Sequence, residues 1–232
     1  MSERFAIYYT MPATDSLYQQ AAAWLGYNVI QGETLNHPLP DHLAHCKSQV
    51  PGCTDKPSLY GFHGTLKAPF HLKAGTSLQA LFLALEEMAS ATPAFECAPL
   101  SVNIIGQFLA LQPDPACAEL NQLAAACVKQ FDTFRAHLTE QEFERRNKHT
   151  LTRRQTELLE QWGYPYVMDE FRFHMTLTEK LQPQQLSLIQ QTLEEEWREL
   201  LVRPLLIDQL YLFYQPGKNL PFRVLKSFPL AD

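Results

Sequence analysis

Two short strings in this chain pair a histidine with a threonine two residues later: Phe62-His63-Gly64-Thr65-Leu66 and Phe173-His174-Met175-Thr176-Leu177. In an extended strand successive side chains point to opposite faces. His63 then shares a face with Thr65, and His174 with Thr176, while Phe62, Leu66, Phe173, Met175 and Leu177 turn to the apolar side. Two imidazoles and two hydroxyls suit a phosphodiester. A neutral imidazole takes a proton from the attacking group, and a protonated one gives a proton to the leaving oxygen. The hydroxyls donate to phosphate oxygens, where charge is held. Histidine titrates near pH 6.5, so both protonation states are accessible near neutrality.

The same parity puts Lys67, four residues after His63, and Arg172, two before His174, on those faces. Each pair would then have a cation beside it, and a guanidinium there would hold phosphate with two parallel N–H groups. The plainer reading is a strand-end charge whose stem lies along apolar surface. Tyr60, Tyr164 and Tyr166 are candidates for stacking on a base or ribose, with core packing as the alternative. Arg145, Arg146, Lys148, His149, Arg153 and Arg154 form a basic run. Such a run is either a solvated helix face or an anion-recruiting flap. We expect it at the rim of the histidine cleft, with Arg153 and Arg154 contributing to substrate capture. His37, His42, His45 and Cys46 invite a metal reading, but they lie in a Pro-rich stretch without a second clean ligand pair. No metal and no cofactor are expected.

The elements that must position these groups follow from pattern. Phe5-Ala6-Ile7-Tyr8-Tyr9 reads as a strand. Asp15-Ser16 caps a helix from Tyr18 to Leu25, with Gly26 as its stop. Residues 31–58 read as a long connection. The first His/Thr strand ends at Pro69, and a helix runs from Leu78 to Ser90. A strand pair surrounds Gly106; helical patterns cover Cys117–His137 and parts of Thr139–Trp162, broken at Gly163. After the second His/Thr strand come a helix from Pro183 to Leu200 and strands at Leu205–Tyr214 and Phe222–Phe228. Each His/Thr strand thus precedes a helix and then a strand pair, a weak internal repeat. The expectation is a two-lobed α+β fold with a pseudo-two-fold relation between the lobes.

The net charge is −6, which argues against sequence-blind coating of DNA but not against a local cationic pocket. Five cysteines show no C-x-x-C spacing, which reads as thiols in a reducing compartment. No signal-peptide core and no membrane-length apolar run is present, so a cytoplasmic protein with no membrane partner is expected.

At this point the chain resembles the two-histidine (2H) phosphoesterases, the superfamily of RNA-ligase-like (LigT-like) proteins and RNA 2′,3′-cyclic phosphodiesterases. Its mark is two H-x-[ST] motifs in apolar settings, matched by His63-Gly64-Thr65 and His174-Met175-Thr176, 111 residues apart. A closer likeness is to a branch associated with phosphonate-utilisation genes. It is carried by Tyr60–Phe70, Trp162–Val167 and Phe171–Thr178. Gly64 stands where that branch often has Ala, and Leu59 where a basic residue often precedes the Tyr. The resemblance implies a two-lobed 2H phosphoesterase fold, with antiparallel sheets forming a central cleft and helices outside, in which residues 1–232 form one domain with an inserted helical segment at about residues 112–170. It also implies a metal-independent phosphodiesterase acting on a cyclic phosphodiester of a nucleotide or ribosyl phosphate. His63 and His174 would be catalytic. Thr65, Thr176, Lys67, Arg172, Tyr60 and Tyr164 would bind substrate, a small phosphodiester or nucleotide, or RNA ends. One alternative is a module that binds a nucleotide or RNA phosphate without turnover. Another is a non-haem iron oxygenase, disfavoured because Thr65 and Thr176 stand where its carboxylate would be.

Overall fold

A computed structural model describes residues 3–36, 39–147 and 151–232. Its framework is an eight-stranded sheet built from β1 (Arg4–Tyr9), β4 (Gly64–Phe70), β5 (Phe95–Ile105), β6 (Phe108–Pro113), β7 (Met175–Thr176), β8 (Pro204–Ile207), β9 (Gln209–Gln215) and β10 (Arg223–Pro229). A separate two-residue ladder joins β2 (Tyr27–Asn28) to β3 (Glu33–Thr34). The order across the large sheet is β10-β9-β1-β4-β7-β6-β5-β8, and every pairing is antiparallel. The expected lobes are therefore the two halves of one sheet, four strands on each side of the β4–β7 junction. That junction rests on a single register pair, Gly64 with Met175.

The sheet is curled. Asp208 alone separates β8, at one edge, from β9, second from the other. The Tyr9 hydroxyl on β1 donates to the Leu206 carbonyl on β8 at 2.8 Å. The expected single strand from Leu205 to Tyr214 is thus two strands serving different halves.

Helices start and stop where the sequence signals them. In α1 (Ser16–Leu25) the Asp15 carboxylate accepts from the Leu17 and Tyr18 amides, and Gly26 ends the helix with a left-handed backbone. Ser77 caps α4 (Leu78–Ser90) and Thr152 caps α7 (Arg153–Trp162), which stops at Gly163. Between β6 and α7 lie α5 (Ala118–Gln130), a short 3-10 turn and α6 (Glu140–Asn147). α8 (Pro183–Glu196) opens with Pro in its first turn. The expected connection at 31–58 holds two further helices, α2 (Asp41–Gln49) and α3 (Asp55–Ser58). Only Leu43 and Cys46 of α2 are buried, too short a stripe to stand out in sequence.

The core lies between sheet and helices. Trp24 on α1, fully buried, donates its indole N–H to the Leu177 carbonyl just after β7. The buried Thr10 hydroxyl donates to the Phe62 carbonyl just before β4. Both bonds anchor the residues flanking the His/Thr motifs. All five cysteines are free thiols. Among the described residues no helix is long and apolar enough to cross a membrane.

Candidate active site

The two histidines sit one residue before their strands begin, since β4 starts at Gly64 and β7 at Met175. Each imidazole is fixed by the same local bond. His63 Nδ1 donates to the Gly61 carbonyl at 2.9 Å, and His174 Nδ1 to the Arg172 carbonyl at 2.8 Å. With Nδ1 carrying the proton, Nε2 of each neutral ring is left free to accept one. Gly61 makes this possible on its side. Its φ is +69°, and an added Cβ would lie 2.4 Å from Val29 Cβ.

The junction register decides how the two motifs meet. Gly64 pairs with Met175, so one step either way puts His63 opposite Thr176 and Thr65 opposite His174. The four side chains form a crossed square on one face of adjacent strands. The Thr65 hydroxyl lies 3.4 Å from His63 Nε2. Phe173 closes the opposite face: its ring lies over Gly64, where an added Cβ would be 2.3 Å from two ring carbons. The Gly at that position, where the resembled branch often has Ala, thus matches a close ring approach.

His63 is half-buried beneath aromatic rings. The Tyr8 ring stacks on it with centroids 4.1 Å apart and planes 26° apart, and Tyr60 lies near-parallel at 5.9 Å. Desolvation lowers its pKa to about 4; the Gly61 carbonyl opposes this, and the nearby His174 reinforces it. His174 is lowered as well, first by burial. Both shifts favour the neutral ring near pH 7. The Tyr8 phenol, buried and interacting with Thr65, is held well above its usual range by burial.

A cleft of about 820 Å³ opens over His63, Thr65 and Thr176, with Phe108, Tyr60 and Tyr164 in its walls. His174 stands 5.7 Å from Phe108, ring to ring. Six cationic side chains line the cleft (Arg4, Lys56, Arg145, Arg146, Lys180 and Lys218) against one carboxylate, Glu179. In an acidic protein this cleft carries an excess of positive charge, an arrangement that attracts anions.

Two expected site residues are not brought there. Lys67 is 3% exposed and lies under α5, where Nζ donates to the Val128 carbonyl at 3.1 Å and stands 3.5 Å from Asp132. Burial drops its pKa to about 8, against the pull of Asp132. The cause is a bulge. Tyr8 pairs with Thr65 but Ile7 with Lys67, so Leu66 is an extra residue and the alternation reverses after it. Arg172 is exposed, and its side chain is not part of the cleft wall. It precedes β7, outside any ladder, so strand parity does not reach it; it contributes its carbonyl to His174.

The basic run divides. Arg145 and Arg146 line the cleft. Arg153 and Arg154 do not: Arg153 pairs with Glu157 at 3.1 Å, and Arg154 with Asp169 at 2.6 Å. Lys148, His149 and His37 lie outside the described residues. Tyr166 is exposed and meets Tyr164 edge-on. His42 faces Glu196 and His45 faces Gln49. Among the described residues no three His, Cys, Asp or Glu side chains converge as a metal site would require. Arg4 and Tyr8 escaped the sequence reading. The signal for them was present, since they are four apart on β1 and share a face there.

A family model described as "Protein of unknown function (DUF1045)" matches residues 65–223. This chain belongs to the DUF1045 family. Two bacterial proteins named "Ribose 1,5-bisphosphate phosphokinase PhnN" are similar to it. The one from Janthinobacterium sp. (strain Marseille) is 34% identical over 98% of this chain and 51% of its own length. The one from Laribacter hongkongensis (strain HLHK9) is 29% identical over 95% and 50%. This DUF1045 chain therefore spans about half the length of those relatives. Among solved structures, E. coli LigT complexed with 3′-AMP is 14% identical, covers 100% of both chains and has a TM-score of 0.49. E. coli LigT complexed with NADP+ is 12% identical, covers 100% of this chain and 99% of its own, and has a TM-score of 0.48.

Proposed function

We propose that this DUF1045 protein is a 2H-type phosphodiesterase that opens a cyclic phosphodiester of a ribosyl or nucleoside phosphate. The observation that carries the reading is the Gly64–Met175 register, which sets the two His/Thr pairs crosswise, with His63, Thr65 and Thr176 lining a cationic cleft. Thr65 and Thr176 donate hydrogen bonds to the non-bridging phosphate oxygens. The bound anion raises the pKa of both imidazoles, and one takes a proton from solvent. The neutral histidine accepts a proton from water through Nε2 as the water oxygen bonds to phosphorus. The P–O bond to one sugar oxygen breaks, and the protonated histidine gives that oxygen its proton. The products are a phosphomonoester and a free hydroxyl, and the two histidines have exchanged states. Proton transfer and phosphate binding are both supplied by side chains, so activity is expected to survive chelators.

The relatives' names point to a metabolic setting. A protein named for phosphorylating ribose 1,5-bisphosphate contains, in half its length, a region similar to this chain. Opening a ribosyl cyclic phosphate yields a ribose phosphomonoester, the class of compound such a kinase consumes. This supports a role next to phosphonate breakdown. The test is turnover on nucleoside 2′,3′-cyclic and ribosyl 1,2-cyclic phosphates, with and without chelator. Chelator-resistant release of phosphomonoester, lost in His63→Ala and His174→Ala, is the expected result. Tight binding of these compounds without turnover would replace the reading with a non-catalytic phosphate-binding module.

A further inference from the structure

We propose that Arg4, Arg145 and Arg146, backed by Tyr164, form a second anion subsite that takes a phosphomonoester carried by the same small substrate. The inference rests on the phosphodiesterase reading for the first phosphate and goes beyond it. Thr65, Thr176 and the two imidazoles suffice for one phosphate, yet the cleft is larger than one phosphate and carries an excess of cations.

The three arginines gather at one end. Arg4 opens β1, whose next residue pairs with Phe70 at the far end of β4. Arg146 Nη2 reaches the Pro69 carbonyl at 3.5 Å. Ala68 and Pro69 line the cleft beside them. At about 3.3 Å of strand rise per residue, this end lies on the order of 10 Å from Thr65. A single sugar phosphorylated at both ends spans that gap once the reach of the guanidinium groups is included.

The guanidinium groups are held ready rather than neutralised. Arg4 donates from Nε and Nη2 to the Gln215 side-chain oxygen at 2.8 and 2.5 Å, and among the described residues its Nη1 has no hydrogen-bond partner. Arg146 donates from Nη1 to the Gly163 carbonyl and stands over the Tyr164 ring at 6.0 Å, and among the described residues its Nε has no hydrogen-bond partner. Both are anchored by neutral oxygens. Glu142, the carboxylate that Arg146 feels, is engaged by Thr139 and His71 and is not part of the cleft wall. Arg145 makes no ion pair among the described residues. Arg146 is desolvated and feels the like charges of Arg145 and Arg4. Cations crowded in this way are stabilised by an incoming dianion, and a guanidinium fork matches phosphate geometry. Arg153 and Arg154 show the contrast: neither is part of the cleft wall, and each has a carboxylate. Lys56, at the other end, is taken up by Glu179 at 2.6 Å.

The test is calorimetric binding of product-like ligands, which requires no turnover: adenosine 2′-phosphate against adenosine 2′,5′-bisphosphate, and ribose 1-phosphate against ribose 1,5-bisphosphate. The second phosphate should tighten Kd by about 10- to 100-fold at low salt, with the gain shrinking as salt rises. Arg145→Glu and Arg4→Gln should each cut that gain to less than about threefold. A gain in the ribose pair alone, or the adenosine pair alone, identifies the sugar class. Equal affinity for mono- and bisphosphates in the native protein would overturn the subsite while leaving the phosphodiesterase reading intact. Binding of none of the four ligands would overturn both.

Discussion

The two halves of the sheet carry the same chemistry in different surroundings. In each, an imidazole is tied through Nδ1 to the carbonyl two residues before it, and a threonine follows two residues after. The neighbouring strand makes the difference. On β1, Tyr8 pairs with Thr65; on β6, the residue in the matching place, opposite Thr176, is Ala110. His63 therefore has a phenol ring stacked 4.1 Å away, whereas among the described residues His174 has the tilted ring of Phe108 at 5.7 Å. β4 runs seven residues and β7 two. A repeated motif is rendered unequal by one residue on the adjacent strand, an inequality that suits the opposite jobs proposed for the two imidazoles.

The largest expected effect falls on both halves alike. His63→Ala and His174→Ala should each reduce kcat by about 10²–10⁴-fold, and the double variant should be little worse than either single one. Steady-state kinetics on a cyclic phosphodiester check this; near-native kcat in either single variant would show that only one half does chemistry.

The next effect separates the halves. Gly64→Ala forces a Cβ to 2.3 Å from the Phe173 ring, which should cost about 1–3 kcal/mol by overpacking and lower Tm. Gly106→Ala meets nothing within 4 Å, so its cost should be limited to left-handed strain of about 1 kcal/mol. Thermal unfolding of the two variants decides; equal losses would mean that the Phe173 approach is not tight.

A smaller effect reads the Tyr8–Ala110 difference directly. The folded pKa of His63 lies near 4, below the unfolded value of about 6.5. The native state thus resists a proton that the unfolded chain binds. The stability involved is present in full above pH 6.5 and is lost as pH falls toward 4. Tyr8→Ala lets water reach His63 and should raise its pKa toward 6.5, while Tyr8→Phe keeps the ring and should leave it low. NMR titration of the imidazole measures both, and an unshifted His63 in Tyr8→Ala would refute the part assigned to the ring.

The smallest effect belongs to the exposed arginines of α7. Arg154→Glu breaks a solvent-screened surface pair with Asp169 and should leave Tm close to native, with KM within about twofold of native. Arg145→Glu should raise KM by about 10-fold in low salt. Equal KM values for the two variants would remove the distinction between the cleft-facing and outward-facing parts of the basic run.

Much of the local structure was legible because its causes are local. Asp15, Ser77 and Gly163 mark helix ends through bonds made within a few residues, and the apolar flanks of the His/Thr strings reflect burial on one strand face. α2 was not legible, because a helix that buries only Leu43 and Cys46 shows no stripe. Nor was the split at Asp208, since whether a strand changes partners depends on how the rest of the sheet curls.

By itself, then, the sequence determined the chemical inventory: two imidazoles, each with a hydroxyl two residues on, in apolar settings that read as strands. The tertiary structure decided which groups meet. The β4–β7 register crosses the pairs, and the bulge at Leu66 sends Lys67 under α5. The end of the ladder at Met175 frees the Arg172 side chain, and β1 and α6 supply Arg4, Tyr8 and Arg146 from distant parts of the chain. The reason is physical. Strand parity is a local rule that holds only while the ladder is regular, and register, bulges and partner choice are settled by contacts between residues far apart in sequence.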